Sequence, residues 1–350
     1  MNRLSQIKNV DLNAEKKAHE RWGNIAKPLG SLGLLEEMIE KIAAIQGSEN
    51  VDISRRAVVV MCADNGVVKE GVTQSESNVT AICAGSIAKG ESNINIIAKM
   101  FNAEVAAYDV GIACDVDSAA LIRRKTCYGT GNIATEPAMT SAQAESAITV
   151  GLDAVKELSE SGVKIIATGE MGIGNTTTAA AISAVLLGIS PSEVTGRGAG
   201  LDSAGLKRKI SVVERALDLH KPLSADRPLE LISRIGGFDI AALTGVFLGG
   251  AVYCVPVIID GVISAAAAAL AVLINENARG YMLASHTSEE PAAKGLLDLI
   301  GVKAPINAGL RLGEGTGAAM LLPLLDAALG VYNSSHSFVS LNMERYVDLI

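Results

Sequence analysis

Short unbroken apolar runs alternate along this chain with longer segments whose apolar positions recur at helical spacing. Arg56 to Cys62 is such a run, and it empties into the polar turn Ala63-Asp64-Asn65-Gly66-Val67. A run of strand length with no polar alternation predicts a strand covered on both faces, hence a parallel sheet. Glu104 to Gly111, Val163 to Thr168 and Val255 to Ile259 repeat the pattern, the last ending at Asp260-Gly261. Residues 11 to 22 read as a charged amphipathic helix, and after a turn with Gly30 and Ser31 a second helix runs to about Gln46, with Leu35, Met38, Ile39 and Ile42 on one face. Further helices are predicted after Thr178 through Leu187, from Leu206 with Val212, Val213 and Leu217 on one face, and from Ala318 to Leu329, where Pro323 could introduce a kink. Strand, polar turn and helix in repeated succession make the expected fold an α/β, doubly wound, mostly parallel sheet, with its polar turns converging on one cleft.

Composition sharpens this. Hydrophobic residues are 49% but aromatics only 3%, so the core is built of Ala, Val, Ile and Leu, and 35 glycines against nine prolines fit many tight strand-to-helix turns. With 350 residues, one large domain plus an accessory piece is as natural as two equal domains. A net charge of -8 without a dense Lys/Arg run argues against nucleic-acid binding. Met1 to Trp22 has no apolar core of the secretory kind, which makes the cytoplasm the expected compartment. Five scattered cysteines without a C-x-x-C pair suggest neither a disulfide framework nor a zinc site. The uncharged stretch from Ile240 to Ile259 has the length of a membrane span, but Pro256 and Asp260-Gly261 divide it and its continuation into helix, strand, turn and helix, so no span is expected.

Two stretches carry candidate chemistry. In Gly309-Leu-Arg-Leu-Gly-Glu-Gly-Thr-Gly317 glycines let the backbone approach a ligand while presenting Glu314 at the mouth of an apolar helix. Desolvation there would raise its pKa towards that of a general base; the alternative is a carboxylate that caps the helix or sits in water. In Gly169-Glu-Met-Gly-Ile-Gly-Asn-Thr-Thr177 a strand, a glycine turn and a helix start follow directly, which makes an anion site of free N–H groups and the positive helix end. No lysine follows its last glycine, so an NTP-binding P-loop is disfavoured and a single phosphate is the economical ligand. Downstream, Gly196-Arg-Gly-Ala-Gly200 leads to Lys207-Arg208-Lys209, either a solvated basic face or a lysine that closes over that phosphate. His286, in a polar loop without Cys or a second His nearby, reads as structural, and no metal site is expected.

These stretches, together with Lys27-Pro-Leu-Gly-Ser-Leu-Gly33, Ala63-Asp-Asn-Gly-Val67, Gly236-Gly-Phe-Asp-Ile-Ala-Ala242 and Asp260-Gly261, resemble in this order the nicotinate-nucleotide:dimethylbenzimidazole phosphoribosyltransferase family. The resemblance implies a Rossmann-like catalytic domain over residues 30–320 and a small helical subdomain from residues 1–29 and 321–350, assembled as a homodimer. It implies displacement of nicotinate from C1′ of nicotinate mononucleotide by a base, with inversion, without metal or cofactor. By similarity Glu314 is the base, Glu170 assists near the ribose or the acceptor, and Gly172, Gly174, Asn175 and Thr176 with Lys209 hold the 5′-phosphate. Arg311 would hold the nicotinate carboxylate or a ribose oxygen, or else form a structural ion pair.

The chain departs from the family where the latter has a polar run with a glutamine lining the base pocket. Here Ser75 begins Ser-Glu-Ser-Asn-Val-Thr-Ala-Ile-Cys, with Ile82 or Cys83 at the glutamine's place, and Asn65 stands where a histidine is common. An apolar wall opens the acceptor to benzimidazoles in general or to a phenolic compound, and members that activate phenols or pair with a paralogue belong to this family. The rival readings are a paralogous subunit without activity alone and a dinucleotide oxidoreductase. The first predicts obligatory association with a second, similar chain, the second NAD binding.

Overall fold

The computed structural model describes residues 2–346. Its six strands are β1 (Arg56–Ala63), β2 (Ala103–Gly111), β3 (Ile122–Arg123), β4 (Ile165–Met171), β5 (Val257–Ile259) and β6 (Met282–Ala284). The helices are α1 (Leu12–Trp22), α2 (Leu34–Gln46), α3 (Asn78–Lys89), α4 (Asn93–Met100), α5 (Ser141–Glu160), α6 (Asn175–Leu187), α7 (Pro191–Val194), α8 (Ser203–Leu219), α9 (Pro228–Ile235), α10 (Phe238–Tyr253), α11 (Val262–Ile274), α12 (Ala293–Ile300) and α13 (Thr316–Tyr332). The strands form one sheet in the order β3-β2-β1-β4-β5-β6, every neighbouring pair parallel. The strand order reverses between β1 and β4, which opens a crevice above their carboxyl ends.

Both faces of the sheet are covered, as its apolar strands require. Ala57, Val59 and Met61 of β1 face a layer that includes α5, α6, α10 and α11, while Val58, Val60 and Cys62 face the opposite layer with α2, α3, α4 and α13. The period of two along one strand thus divides the two cores.

The structure adds strands to the expected set and moves the end of one. Two-residue β3 and three-residue β6 are too short to show a pattern in sequence. β4 continues past Thr168 because Glu170 and Met171 stay in register with Met61 and Cys62 of β1. Glu170 therefore stands on the rigid end of a strand rather than in a turn. α13 runs unbroken through Pro323.

The long apolar stretch is α10, β5 and α11, and among the described residues no helix is long and apolar enough to cross a membrane. Glycines let α10 lie against α5 almost backbone to backbone: a Cβ on Gly151 would fall 1.9 Å from the Ala242 carbonyl oxygen, and one on Gly245 2.0 Å from that of Ile148. That contact explains a helix that is apolar all round.

The region of α1 and the region of α13 meet beside the second core layer, whereas residues before α1 pack on the first, Arg3 reaching Asp153 and Tyr253. Trp22 of α1 and Tyr332 of α13 are in edge contact with centroids 4.9 Å apart, Lys27 Nζ lies 5.0 Å from the Trp22 ring centroid, and Ile25 bridges to Ser337. The expected division after residue 320 falls inside α13, whose Leu321, Leu322 and Leu325 share a core with Val58 and Ile165 of the sheet. Residues 347–350 of the expected terminal piece lie outside the described residues.

Candidate active site

The crevice at the strand ends holds a cleft of about 200 Å³. Glu170, Gly172, Asn175, Thr176, Arg311 and Glu314 all line it, so residues from β4, α6 and the loop before α13 converge as the sequence predicts. Gly174 caps the start of α6 from the left-handed region (φ 94°), and Lys209 of α8 comes up beneath Thr176.

The loop that presents Glu314 is built by three consecutive left-handed residues, Gly313 (φ 84°), Glu314 (φ 59°) and Gly315 (φ 91°). For a non-glycine residue this conformation costs on the order of 1–2 kcal/mol and needs surrounding contacts to hold it. Gly169 of β4 supplies one: a Cβ there would lie 2.4 Å from the Glu314 carbonyl oxygen, so the loop rests on bare strand backbone. α4 supplies another, the Ile94 N–H donating to Glu314 Oε2 at 3.4 Å. Burial raises the pKa of the Glu314 carboxyl, the Ile94 hydrogen bond opposes the shift, and the charge of Asp260 adds to it. The result is a stronger base than a free glutamate.

Glu170 adjoins it, with Oε1 only 2.5 Å from where a Gly313 Cβ would stand. Asn175 Nδ2 donates both to Glu170 Oε2 and, at 3.0 Å, to Asp239 Oδ2. Burial, and then the charge of Asp239, push the Glu170 carboxyl up to about 8 against the Asn175 hydrogen bond. At neutral pH Glu170 is thus largely protonated, while Asp239, raised by burial to about 6, is largely ionised. The two carboxyls that share Asn175 are sorted by environment into a neutral group and a charged one.

The other end of the cleft suits an anion. The first turn of α6 opens there, and Lys209, fully buried at 0% exposure, lies with Nζ 2.7 Å from Thr176 Oγ1. Burial lowers its pKa to about 8 while the charge of Glu290 works the other way. Glu290 Oε1 accepts the Gly198 N–H at 3.0 Å, and Gly196 leaves room for that carboxylate, since a Cβ there would sit 1.9 Å from Oε2.

Ser75, Ile82 and Cys83 are not brought to the lining of this cleft. Ile82 points outward, 65% exposed, on α3. Cys83 flanks Glu314 closely enough that the glutamate's charge, after burial, raises the thiol's pKa. The side chain of α3 that does tie into the site is buried Thr80, whose Oγ1 accepts the Ile173 N–H at 3.1 Å.

Three residues to which the sequence assigns no chemistry take a place in the site. Asp239 anchors Asn175, and its only signal was the glycine pair before it; Glu290 lies in a loop read only for its histidine. His286, read as structural, lines the cleft beside Asp260, its Nδ1 2.9 Å from Ser285 Oγ. Burial lowers its pKa, opposed by the charge of Asp260, and holds the ring towards the neutral form.

Comparison with known proteins supplies a family. A family model described as a phosphoribosyltransferase matches residues 7–342. A protein of Ruminiclostridium cellulolyticum named nicotinate-nucleotide–dimethylbenzimidazole phosphoribosyltransferase is 42% identical over 346 residues, 99% of this chain and 98% of its own. One of the same name from Acetivibrio thermocellus is 43% identical over 326 residues, 93% of each chain. Among solved structures, CobT from Thermus thermophilus superposes with a TM-score of 0.89 at 37% identity, covering 95% of this chain and 100% of that one.

Proposed function

The chain belongs to the nicotinate-nucleotide–dimethylbenzimidazole phosphoribosyltransferase family, and we propose that it moves the 5-phosphoribosyl group of nicotinate mononucleotide to a lower-ligand base, releasing nicotinate and an α-ribotide. The observation that carries the reading is the two-ended cleft, with Lys209 and the start of α6 at one end and Glu314 beside Glu170 at the other.

In this reading the 5′-phosphate sits at the positive start of α6, with Lys209 as its counter-charge. That places C1′ towards the two carboxyls. The acceptor nitrogen attacks C1′ from the face opposite nicotinate, the C1′–N bond to nicotinate breaks with its electron pair going to the ring nitrogen, and Glu314 takes the proton from the acceptor. Nicotinate leaves from a pyridinium, already a good leaving group, so the protein's work is alignment and proton removal. Glu170, neutral, donates a hydrogen bond near the ribose. Arg311 is the cation available to the nicotinate carboxylate.

The acceptor is a benzimidazole or a related ring, with a phenol as the outer limit. Cys83 rather than an amide flanks Glu314, so little on α3 selects by hydrogen bonding.

Exposed Ile96 and Met100, one turn apart on α4, and partly exposed Met320 and Leu324, one turn apart on α13, suit association with a second copy or a paralogue. Incubation of the purified chain with nicotinate mononucleotide and 5,6-dimethylbenzimidazole tests the reading. Release of nicotinate with a stoichiometric α-ribotide is the expected result; absence of both, alone and with any paralogue, would defeat it.

A further inference from the structure

We propose that Asp260 is the positioning residue for Glu314, capping α13 from outside the helix and so fixing the loop that presents the base. The inference rests on the reading of Glu314 as the base.

A helix start leaves several N–H groups without partners, and the residue at the cap of α13 is Gly315, which has no side chain to offer them. Asp260, arriving from the end of β5, takes that role: Oδ1 accepts the Ala318 N–H at 2.9 Å and Oδ2 the Gly315 N–H at 3.3 Å. Gly315 follows Glu314 directly and is the last of the three left-handed residues. A grip on its N–H restrains the Glu314 backbone from one side, as Ile94 restrains the carboxylate from the other.

Asp260 is itself held. It is buried, its own N–H donates to Ser264 Oγ at 3.1 Å, that hydroxyl meets Thr168 Oγ1 at 2.6 Å, and the Thr168 hydroxyl donates to the Ile258 carbonyl at 2.7 Å. This chain of contacts ties the catalytic loop to β4 and β5 rather than to solvent. His286 packs on the same turn, since a Cβ on Gly317 would lie 2.2 Å from its ring, and Asp260 Oδ1 is 3.0 Å from the same point.

Charge gives the arrangement a signature beyond geometry. The titratable groups around Glu314 are Asp260 from β5, Glu170 from β4, Cys83 from α3, His286 after β6 and Arg311 of its own loop, while α4 offers the Ile94 N–H. Among them Asp260 combines a hydrogen bond to the adjacent residue with a charge that raises the Glu314 pKa.

The test is the pH profile of kcat/KM for Asp260→Asn beside the wild type and Glu314→Gln. The amide oxygen can keep one N–H, but its NH₂ group then faces the other, and the charge is gone. We expect kcat to fall about 10²-fold, as misplacement of a reacting group does. The acid limb of kcat/KM should move to lower pH by roughly half a unit or more, because a like charge beside Glu314 has been removed. If kcat and the limb both stay where they are, or if kcat falls with the limb unmoved, the positioning role is overturned. A rise in KM for nicotinate mononucleotide as the sole change would make Asp260 a substrate contact and overturn it equally. Should Asp260→Asn fail to fold, Ser264→Ala loosens Asp260 while keeping its charge; a severalfold loss of kcat with an unmoved limb supports the proposal, and wild-type kcat refutes it. Glu314→Gln separates the two readings. Full turnover in that variant removes the base itself, whereas its loss beside a wild-type-like Asp260→Asn removes only the inference.

Discussion

The ammonium of Lys209 lies 2.7 Å from the hydroxyl of Thr176, and no part of the lysine is exposed. The charge of Glu290 offsets that cation in part, and an anion at the mouth of α6 would complete the balance, which is the role proposed for the substrate's phosphate. Lys209→Ala should therefore raise KM for nicotinate mononucleotide by ~10- to 100-fold, the worth of a charge-assisted contact of about 1.5–3 kcal/mol, with kcat little changed. Because burial lowers the lysine's pKa to about 8, binding should also weaken as pH rises through that value. A lost kcat at constant KM would give Lys209 another job.

Glu314→Gln keeps the shape of the loop and the Ile94 contact but removes the proton acceptor. Turnover should drop by roughly 10²–10⁴, the usual worth of a positioned general base, while nucleotide binding measured by calorimetry persists. Unchanged turnover would take Glu314 out of the mechanism.

The raised pKa of Glu170 makes a prediction about stability. Its folded value of about 8 lies above the ordinary glutamate value of 4.5, so the folded chain binds the proton more tightly than the unfolded chain does. The stability this gives is complete at pH below the unfolded value and is lost as pH rises through about 8. Wild-type melting temperature should thus decline over that window, and Glu170→Gln should flatten the decline. Parallel curves for the two proteins would contradict the assignment.

Acceptor choice should be broad. With Cys83 beside Glu314 and Ile82 turned outward, discrimination rests on shape, and apolar shape alone separates close analogues by no more than about 200-fold. The kcat/KM values for 5,6-dimethylbenzimidazole and benzimidazole should lie within that range, with p-cresol slower because a phenol of pKa near 10 gives its proton to a carboxylate reluctantly. A preference for dimethylbenzimidazole above a thousandfold would require a hydrogen-bonding selector, an effect that reaches about 10⁴–10⁵.

Much of this is legible in the residues because local chemistry and global fold agree. β1 and α6 are written as an unbroken apolar run and a glycine turn, and both are found there, with α6 starting at Asn175 rather than after Thr178. Glu314 and Lys209 can be singled out because glycines or a preceding anion loop mark them. What sequence does not display are relations across the sheet. Asp260 is visible as a carboxylate at the end of a strand, but its grip on Gly315 joins residues 55 apart. The motif leaves open whether Ile82 or Cys83 stands at the glutamine's place, and the phase of α3 turns Ile82 to the outside while setting Cys83 beside Glu314 and Thr80 inward. Helical phase depends on where α3 starts, and Ser77, its cap residue, makes no side-chain capping bond that would mark the start.

The meeting of α1 with α13 has a spectroscopic consequence. The chain has a single tryptophan, Trp22, and it sits 2% exposed between the Lys27 ammonium and the Tyr332 ring, away from the catalytic cleft. Intrinsic fluorescence therefore observes the junction of α1 with α13 and little else, while far-ultraviolet dichroism observes the helices of the whole molecule. The two signals act as separate witnesses during denaturant unfolding. Coincident midpoints would make α1 and α13 part of one cooperative unit with the sheet; an earlier fluorescence midpoint would show their junction parting while the Lys209 and Glu314 cleft stays folded.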